Sequence, residues 1–175
     1  MKVRTWLLQQ SSKLFLTYHF LKFLRDLYFE SKYLRYKKRY NIHPSFKFNG
    51  VDIEFYGLGT INIGENCYVG NRTVLAADKD CSIEIGCNCA ISHNVRIYTS
   101  NRNPDDIINE KKTVSLIKGD VHIGHNVWIG ANVFINQGVS IGNFCVIGAN
   151  SVITKSIPNN SIVVGSNRIV KQIKK

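Results

Sequence analysis

Between Ile61 and Ile157 an aliphatic residue recurs every six positions, usually followed by glycine or another small residue. The longest run begins at Ile123 and reads IGHNVW, IGANVF, INQGVS, IGNFCV, IGANSV, ITKSIP. An earlier run reads IGENCY, VGNRTV and, after a slip of four residues, IGCNCA, ISHNVR, IYTSNR. A period of six fits neither a helix at 3.6 nor a strand at 2. It fits a solenoid in which each hexad forms a short strand and turn, and three hexads close one triangular coil. First positions (Ile63, Val69, Leu75, Ile85, Ile91, Ile97, Ile123, Ile129, Ile135, Ile141, Ile147, Ile153) are expected to point inward and stack, burying apolar surface at about 25 cal/mol per Å². Fifth positions (Cys67, Thr73, Cys89, Val95, Val127, Val133, Val139, Cys145, Ser151) are small or β-branched, as a narrow interior requires. Fourth positions are often Asn (Asn66, Asn88, Asn94, Asn126, Asn132, Asn150), a residue that tolerates the positive φ of a tight corner.

Outside the hexads the pattern changes twice. Residues 4–39 hold no Pro or Gly and read as a helix. His19, Lys22, Asp26 and Glu30 form a polar stripe, while most other positions from Leu14 to Phe29 are apolar or aromatic. Such a surface must pack, either on the end of the coil stack or another subunit, whose strand edges need cover, or on a bilayer surface. Residues 99–120, TSNRNPDDIINEKKTVSLIKGD, leave the register as a long polar excursion from a rigid scaffold, a common seat of function. The expected organisation is a basic aromatic helical segment at 1–48, an all-β solenoid at 49–165 with the excursion at 99–120, and a basic tail at 166–175.

The formal net charge of +11 is uneven, since residues 1–47 carry eleven Lys or Arg against Asp26 and Glu30 alone. On a bilayer surface this basic segment would meet anionic lipid. It does not indicate nucleic acid, because the cations sit on an aromatic-rich helix without a nucleic-acid motif. No uncharged apolar run nears the roughly 20 residues of a membrane span, and no signal peptide is read at the start. The five cysteines read as reduced, buried thiols of a cytoplasmic protein. Cys87 and Cys89 lack the two-residue spacer of a zinc or redox pair, so no metal site is expected.

The blocks HIGHNVWIGANVFINQGVSIG (122–142), VIGANSVITKSIPNN (146–160) and VVGSNRIVK (163–171) resemble the hexapeptide-repeat acyltransferases, and within them the sugar O-acetyltransferases related to maltose and galactoside acetyltransferase. The resemblance covers roughly residues 50–171. It implies a left-handed parallel β-helix, a homotrimer with active sites between subunits, acetyl-CoA as co-substrate, and a saccharide hydroxyl as acceptor. It implies a wall of the acceptor and coenzyme channel at Trp128, backbone facing the pantetheine arm at Ala131 and Ala149, nucleotide-end contacts at Thr154 and Lys155, phosphate contacts at Arg168 and Lys171, and an acidic acceptor contact at Asp80. In this family a loop histidine takes the proton of the attacking hydroxyl, a role suited to an imidazole of near-neutral pKa.

That histidine is missing here. Counting from the hexad IGCNCA places its position at Arg102, and aligning on the family's His-Pro dipeptide places it at Asn103, before Pro104. Three explanations stand: an inactive or altered form with Asn103 in place of His, a substitute histidine (His93 foremost, with His122 and His125), or ligand binding without turnover. The functional reading is an acetyl-CoA-dependent O-acetyltransferase of a glycan, cytoplasmic and peripheral at the inner membrane through residues 1–40. The alternatives are N-acetylation of an amino-sugar nucleotide and a non-catalytic β-helix.

Overall fold

The computed structural model describes the backbone of residues 2–173 and the side chains of residues 14–173. The chain forms two compact units, Met1–Tyr36 and Lys37–Lys175. The first is built on one long helix, α1 (Lys2–Arg39, 38 residues), whose last turn carries Lys37, Lys38 and Arg39. Cations at a helix C-terminus oppose its negative dipole end.

The second unit is a parallel β-solenoid. Its coils run β1 (Asn41–Ile42), β2 (Lys47–Asn49), β3 (Glu54–Tyr56); β4 (Thr60–Ile63), β5 (Tyr68–Gly70), β6 (Val74–Ala76); and β7 (Ser82–Ile85), β8 (Ala90–Ile91), β9 (Arg96–Tyr98). An arm follows: β10 (Ser100–Arg102), α2 (Pro104–Ile108) and β11 (Leu116–Lys118). Two more coils are β12 (Val121–Ile123), β13 (Trp128–Ile129), β14 (Phe134–Ile135) and β15 (Ser140–Ile141), β16 (Val146–Ile147), β17 (Val152–Ile153). A partial coil ends in β18 (Ser161–Val164) and β19 (Arg168–Gln172). The strands stack into three faces: β1-β4-β7-β12-β15, then β2-β5-β8-β13-β16-β18 with β19 at its edge, then β3-β6-β9-β14-β17.

All twelve first-position residues and all nine fifth-position residues expected inside are buried. The six fourth-position asparagines have φ between 55° and 59°. Arg72 and Phe144 hold the same corner conformation, at φ 58° and 57°, without asparagine's tolerance for it. At second positions the coils approach closely: a Cβ on Gly130 would lie 2.6 Å from the Ala149 backbone nitrogen. The five cysteines are free thiols. Cys67 and Cys89 donate to the Gly86 and Gly124 carbonyls at 3.0 and 3.1 Å.

The solenoid begins earlier than the hexads suggested. Residues 41–56 form a complete coil whose interior is partly aromatic, with Phe46 and Phe55 buried beside Ile42 and Ile53. Phenylalanines at irregular spacing hid it from a search for Ile every six residues. The faces also differ outward. The first presents Asn62, Glu84, His122 and Ser140 in register. The second presents Tyr68, Ala90, Trp128, Val146 and Ile162.

Candidate functional site

The register of the third face creates a gap. Tyr56, Ala76 and Tyr98 are stacked partners on β3, β6 and β9. The single methyl of Ala76 leaves space between the two flanking rings. This space is part of a cavity of about 450 Å³ lined by Tyr56, Gly57, Ala76, Asp78, Tyr98, Ser100, Asn101, Arg102 and Leu116. Phe134, one coil further on, backs Tyr98 with a ring-centroid distance of 5.6 Å.

The excursion that roofs the cavity is a folded arm. β10 and β11 pair antiparallel, with Ser100 opposite Lys118 and Arg102 opposite Leu116. At its root, the Asn101 amide donates to Asn136 Oδ1 at 2.5 Å and to Gln137 Oε1 at 2.6 Å, tying the arm to the next coil. Thr99 is buried, and its Oγ1 accepts the Asp78 N–H at 2.8 Å. The return strand brings Lys118 to within 3.3 Å of the Asp78 carboxylate. Within the arm, buried Asp106 accepts from the Ser115 N–H at 2.9 Å, from the Ser115 hydroxyl and from Lys111. The Lys111 ammonium first, then the Ser115 donors, pull the Asp106 carboxyl down to about 2.

The cavity's electrostatics suit a neutral polyol. The Asp78 carboxyl is held below its usual range, first by the Lys79 N–H and then by Lys118, so it is an anion and acceptor at neutral pH. Burial, and then the adjoining Tyr98, push the Tyr56 hydroxyl up, which keeps it a neutral donor. Two aromatic surfaces, a carboxylate, an amide and the Arg102 guanidinium offer apolar contact and directional hydrogen bonds together.

The structure separates the two positions expected for the missing histidine. Arg102 lines the cavity. Asn103 lies outside the lining and is the N-cap of α2: its Oδ1 accepts the Asp105 N–H at 3.1 Å and its Nδ2 donates to Ser115 Oγ at 3.3 Å. Its amide is part of the arm's own architecture. Asp80 is exposed in the turn beyond β6 at φ 65°, and Asp78, two residues earlier, is the carboxylate in the lining.

His93 is likewise a structural acceptor. Its Nδ1 accepts the Asn71 N–H at 3.0 Å, across one coil. Asn71 Oδ1 accepts the Val51 N–H at 2.8 Å in the coil before. Along the neighbouring corner His125 Nδ1 accepts from Cys87 N–H at 2.9 Å, Asn143 Oδ1 from His125 N–H at 2.7 Å, and Asn159 Oδ1 from Asn143 N–H at 2.8 Å. A neutral imidazole whose Nδ1 is an acceptor carries its proton on Nε2 and has no lone pair left for another. The structure places His93 in this corner ladder, outside the cavity lining. His122 is exposed on the polar first face, in register with Glu84 and Ser140.

The remaining expected positions fall into two groups. Trp128 stands outward on the second face, 58% exposed, between Ala90 and Val146. Ala131 and Ala149 occupy the corner column of Asn71 and His93, and their methyls end the side-chain ladder there. Thr154 and Lys155 lie beyond β17, joined to the final turn by Asn167, whose Oδ1 accepts both N–H groups at 2.8 and 3.2 Å. Asn167 escaped the sequence reading; its signal was a lone Asn between Gly165 and β19. Arg168 and Lys171 are exposed on β19. Trp128 and the two alanines thus lie on one face and corner, and the cavity lies at the far edge of the next face.

Two sequence profiles match the chain. One describes a bacterial transferase hexapeptide of six repeats and covers residues 120–155; the other describes a hexapeptide repeat of succinyl-transferase and covers residues 60–99. They flank the arm. A galactoside O-acetyltransferase of Escherichia coli K12 is 37% identical over 120 residues, covering 67% of this chain and 56% of that protein. A maltose O-acetyltransferase structure from Clostridium difficile 630 is 35% identical, covering 75% of this chain and 72% of that one, with a TM-score of 0.47. The structure of the polySia-specific acetyltransferase NeuO is 31% identical, covering 75% of this chain and 60% of that one, with a TM-score of 0.62. The chain spans about half the length of the curated relatives it matches, between 35% and 62% for the first five. With its hexads in stacked register and these sequence matches on either side of the arm, the chain belongs to the hexapeptide-repeat acetyltransferase family.

Proposed function

We propose that the protein is an acetyl-CoA-dependent O-acetyltransferase that acts on a saccharide hydroxyl. The observation that carries this is the cavity of tyrosine rings, Asp78 and Arg102 under the arm. Its mix of aromatic faces and hydrogen-bonding groups matches a sugar ring, whose C–H face is apolar and whose rim is polar. Relatives named for galactoside, maltose and polySia acetylation support the same acceptor class.

In this reading acetyl-CoA lies along the corner of Ala131 and Ala149, where no outward side chain obstructs the pantetheine arm. Trp128 walls the channel, and Thr154, Lys155, Arg168 and Lys171 meet the nucleotide end. The acceptor oxygen attacks the thioester carbonyl, the C–S bond breaks, and coenzyme A leaves as its thiol. Asp78, held as an anion by the Lys79 N–H and Lys118, orients the hydroxyl by accepting its hydrogen bond, and the proton lost by the hydroxyl leaves on the coenzyme A sulfur. The separation of Trp128 from the cavity supports a homotrimer in which one subunit's second face completes the neighbour's site.

Calorimetric titration with acetyl-CoA tests this. The expected result is saturable binding, weakened roughly tenfold in Lys155→Ala, with thiol release once a saccharide is added. Absence of binding at millimolar acetyl-CoA would refute the enzymatic reading.

A further inference from the structure

We infer that α1 is a membrane-surface anchor, lying in the headgroup region of an anionic bilayer whatever chemistry the solenoid performs. At about 100° per residue, Leu16, Phe20, Phe23, Leu24, Leu27 and Tyr28 fall on one half of the helix circumference; His19, Lys22, Asp26 and Glu30 form a polar stripe on the other, which Phe15, Tyr18 and Phe29 share. Within its own unit this half finds no cover: Leu16 is 67% exposed, Phe20 59%, Phe23 58% and Tyr28 57%. No described helix is long and apolar enough to cross a membrane, so the fitting geometry is a helix in the interface plane.

Charge selects the occupant. Residues 1–47 carry eleven Lys or Arg against two acidic residues, and cations near an anionic leaflet are drawn to it. The basic residues cluster after the apolar stretch, at Lys32, Arg35, Lys37, Lys38 and Arg39. Arg35, Lys38 and Arg39 are exposed beside half-buried Tyr33 and Tyr36, whereas Lys32 is buried against the rings of Tyr28, Phe29 and Tyr36. Such a belt matches the depth where rings meet headgroups. A second copy of α1 fits less well. Two such segments repel, and a helix–helix seam through Leu16, Phe20, Phe23 and Leu27 would leave Leu14, Leu21, Leu24 and Tyr28 in water.

The test uses the full chain with vesicles of phosphatidylcholine alone or mixed with phosphatidylglycerol, in about 0.1 M salt. Sedimentation with the anionic vesicles is expected to exceed that with the neutral ones by roughly tenfold or more. The triple variant Phe20→Ser, Phe23→Ser, Leu24→Ser is expected to lose that binding while keeping helical circular dichroism and coenzyme A release. Equal sedimentation with both vesicle types, none with either, or undiminished binding by the variant would overturn the inference. So would a change in assembly mass in the variant, which would assign α1 to another copy. A protein that binds vesicles but not acetyl-CoA would leave this inference standing while refuting the proposed function.

Discussion

Replacing His93 separates a corner acceptor from a catalytic base. The imidazole makes one defined bond, Nδ1 to the Asn71 N–H at 3.0 Å. At the equivalent place on the neighbouring corner, Asn143 and Asn159 make the same bond with Oδ1 at 2.7 and 2.8 Å. Asparagine Oδ1 stands nearly where histidine Nδ1 does, so His93→Asn keeps the bond and His93→Ala deletes it. A neutral bond of this kind contributes about 1 kcal/mol net, and the exposed corner lets water take part of the loss. His93→Ala should therefore lower the unfolding free energy in urea by about 1 kcal/mol, and His93→Asn by less than about 0.5 kcal/mol. Both should keep kcat for thiol release within about threefold, whereas loss of a general base would cost roughly 10²–10⁴-fold in each. The reasoning fails if His93→Asn is as unstable as His93→Ala, or if both variants fold but lose turnover.

Histidine installed at the two expected base positions should behave oppositely. Arg102→His brings an imidazole into the cavity and should raise kcat by ten-fold or more, with activity rising as pH passes about 6.5; Asn103→His should bring no gain and should loosen α2 by about 1 kcal/mol through loss of its cap, read by hydrogen exchange. Ile129→Ala, at 0% exposure in the stack, should cost 2–5 kcal/mol, roughly, in urea unfolding. Arg72→Asn should stabilise by about 1 kcal/mol, since Arg72 is held at φ 58°, and a lower melting temperature would refute this. Asp106, with its carboxyl drawn down to about 2 from an unfolded value of about 3.9, stabilises the arm fully above that unfolded value and progressively less as pH falls through about 2. Asp106→Asn should accordingly speed amide exchange in residues 103–118 at neutral pH, and the difference from the parent should vanish near pH 2.

The solenoid was legible because its interior repeats. Ile129 and Ile147 occupy the same place in successive coils, so one rule of spacing recovers the repeated first and fifth positions and the asparagine corners. The first coil escaped because Phe46 and Phe55 do with large rings what isoleucine does elsewhere. The site was less legible. The arm's fold rests on the pairing of β10 with β11 and on Asp106 meeting Ser115 and Lys111, contacts with no periodicity to announce them. The ladder through His93 joins residues 22 apart, and that through His125 joins residues 38 apart, because the arm intervenes. Sequence offsets that change from coil to coil conceal which outward side chain meets which backbone. Asp78 and Asp80 share one short turn, and only the register of β6 distinguishes the one that faces the cavity.

The reversal at β19 also changes what the edge of the second face offers. A stack of parallel coils is a template that any further strand in the same direction could extend, including one from another chain. β19 runs antiparallel to β18, with a register break between Ile162 and Val163, and carries Arg168 and Lys171 along the outermost edge. A parallel newcomer finds neither the direction nor the spacing that each earlier coil offered its successor. In polymer terms this turn is a terminator on that face: it occupies the edge with a unit that cannot propagate.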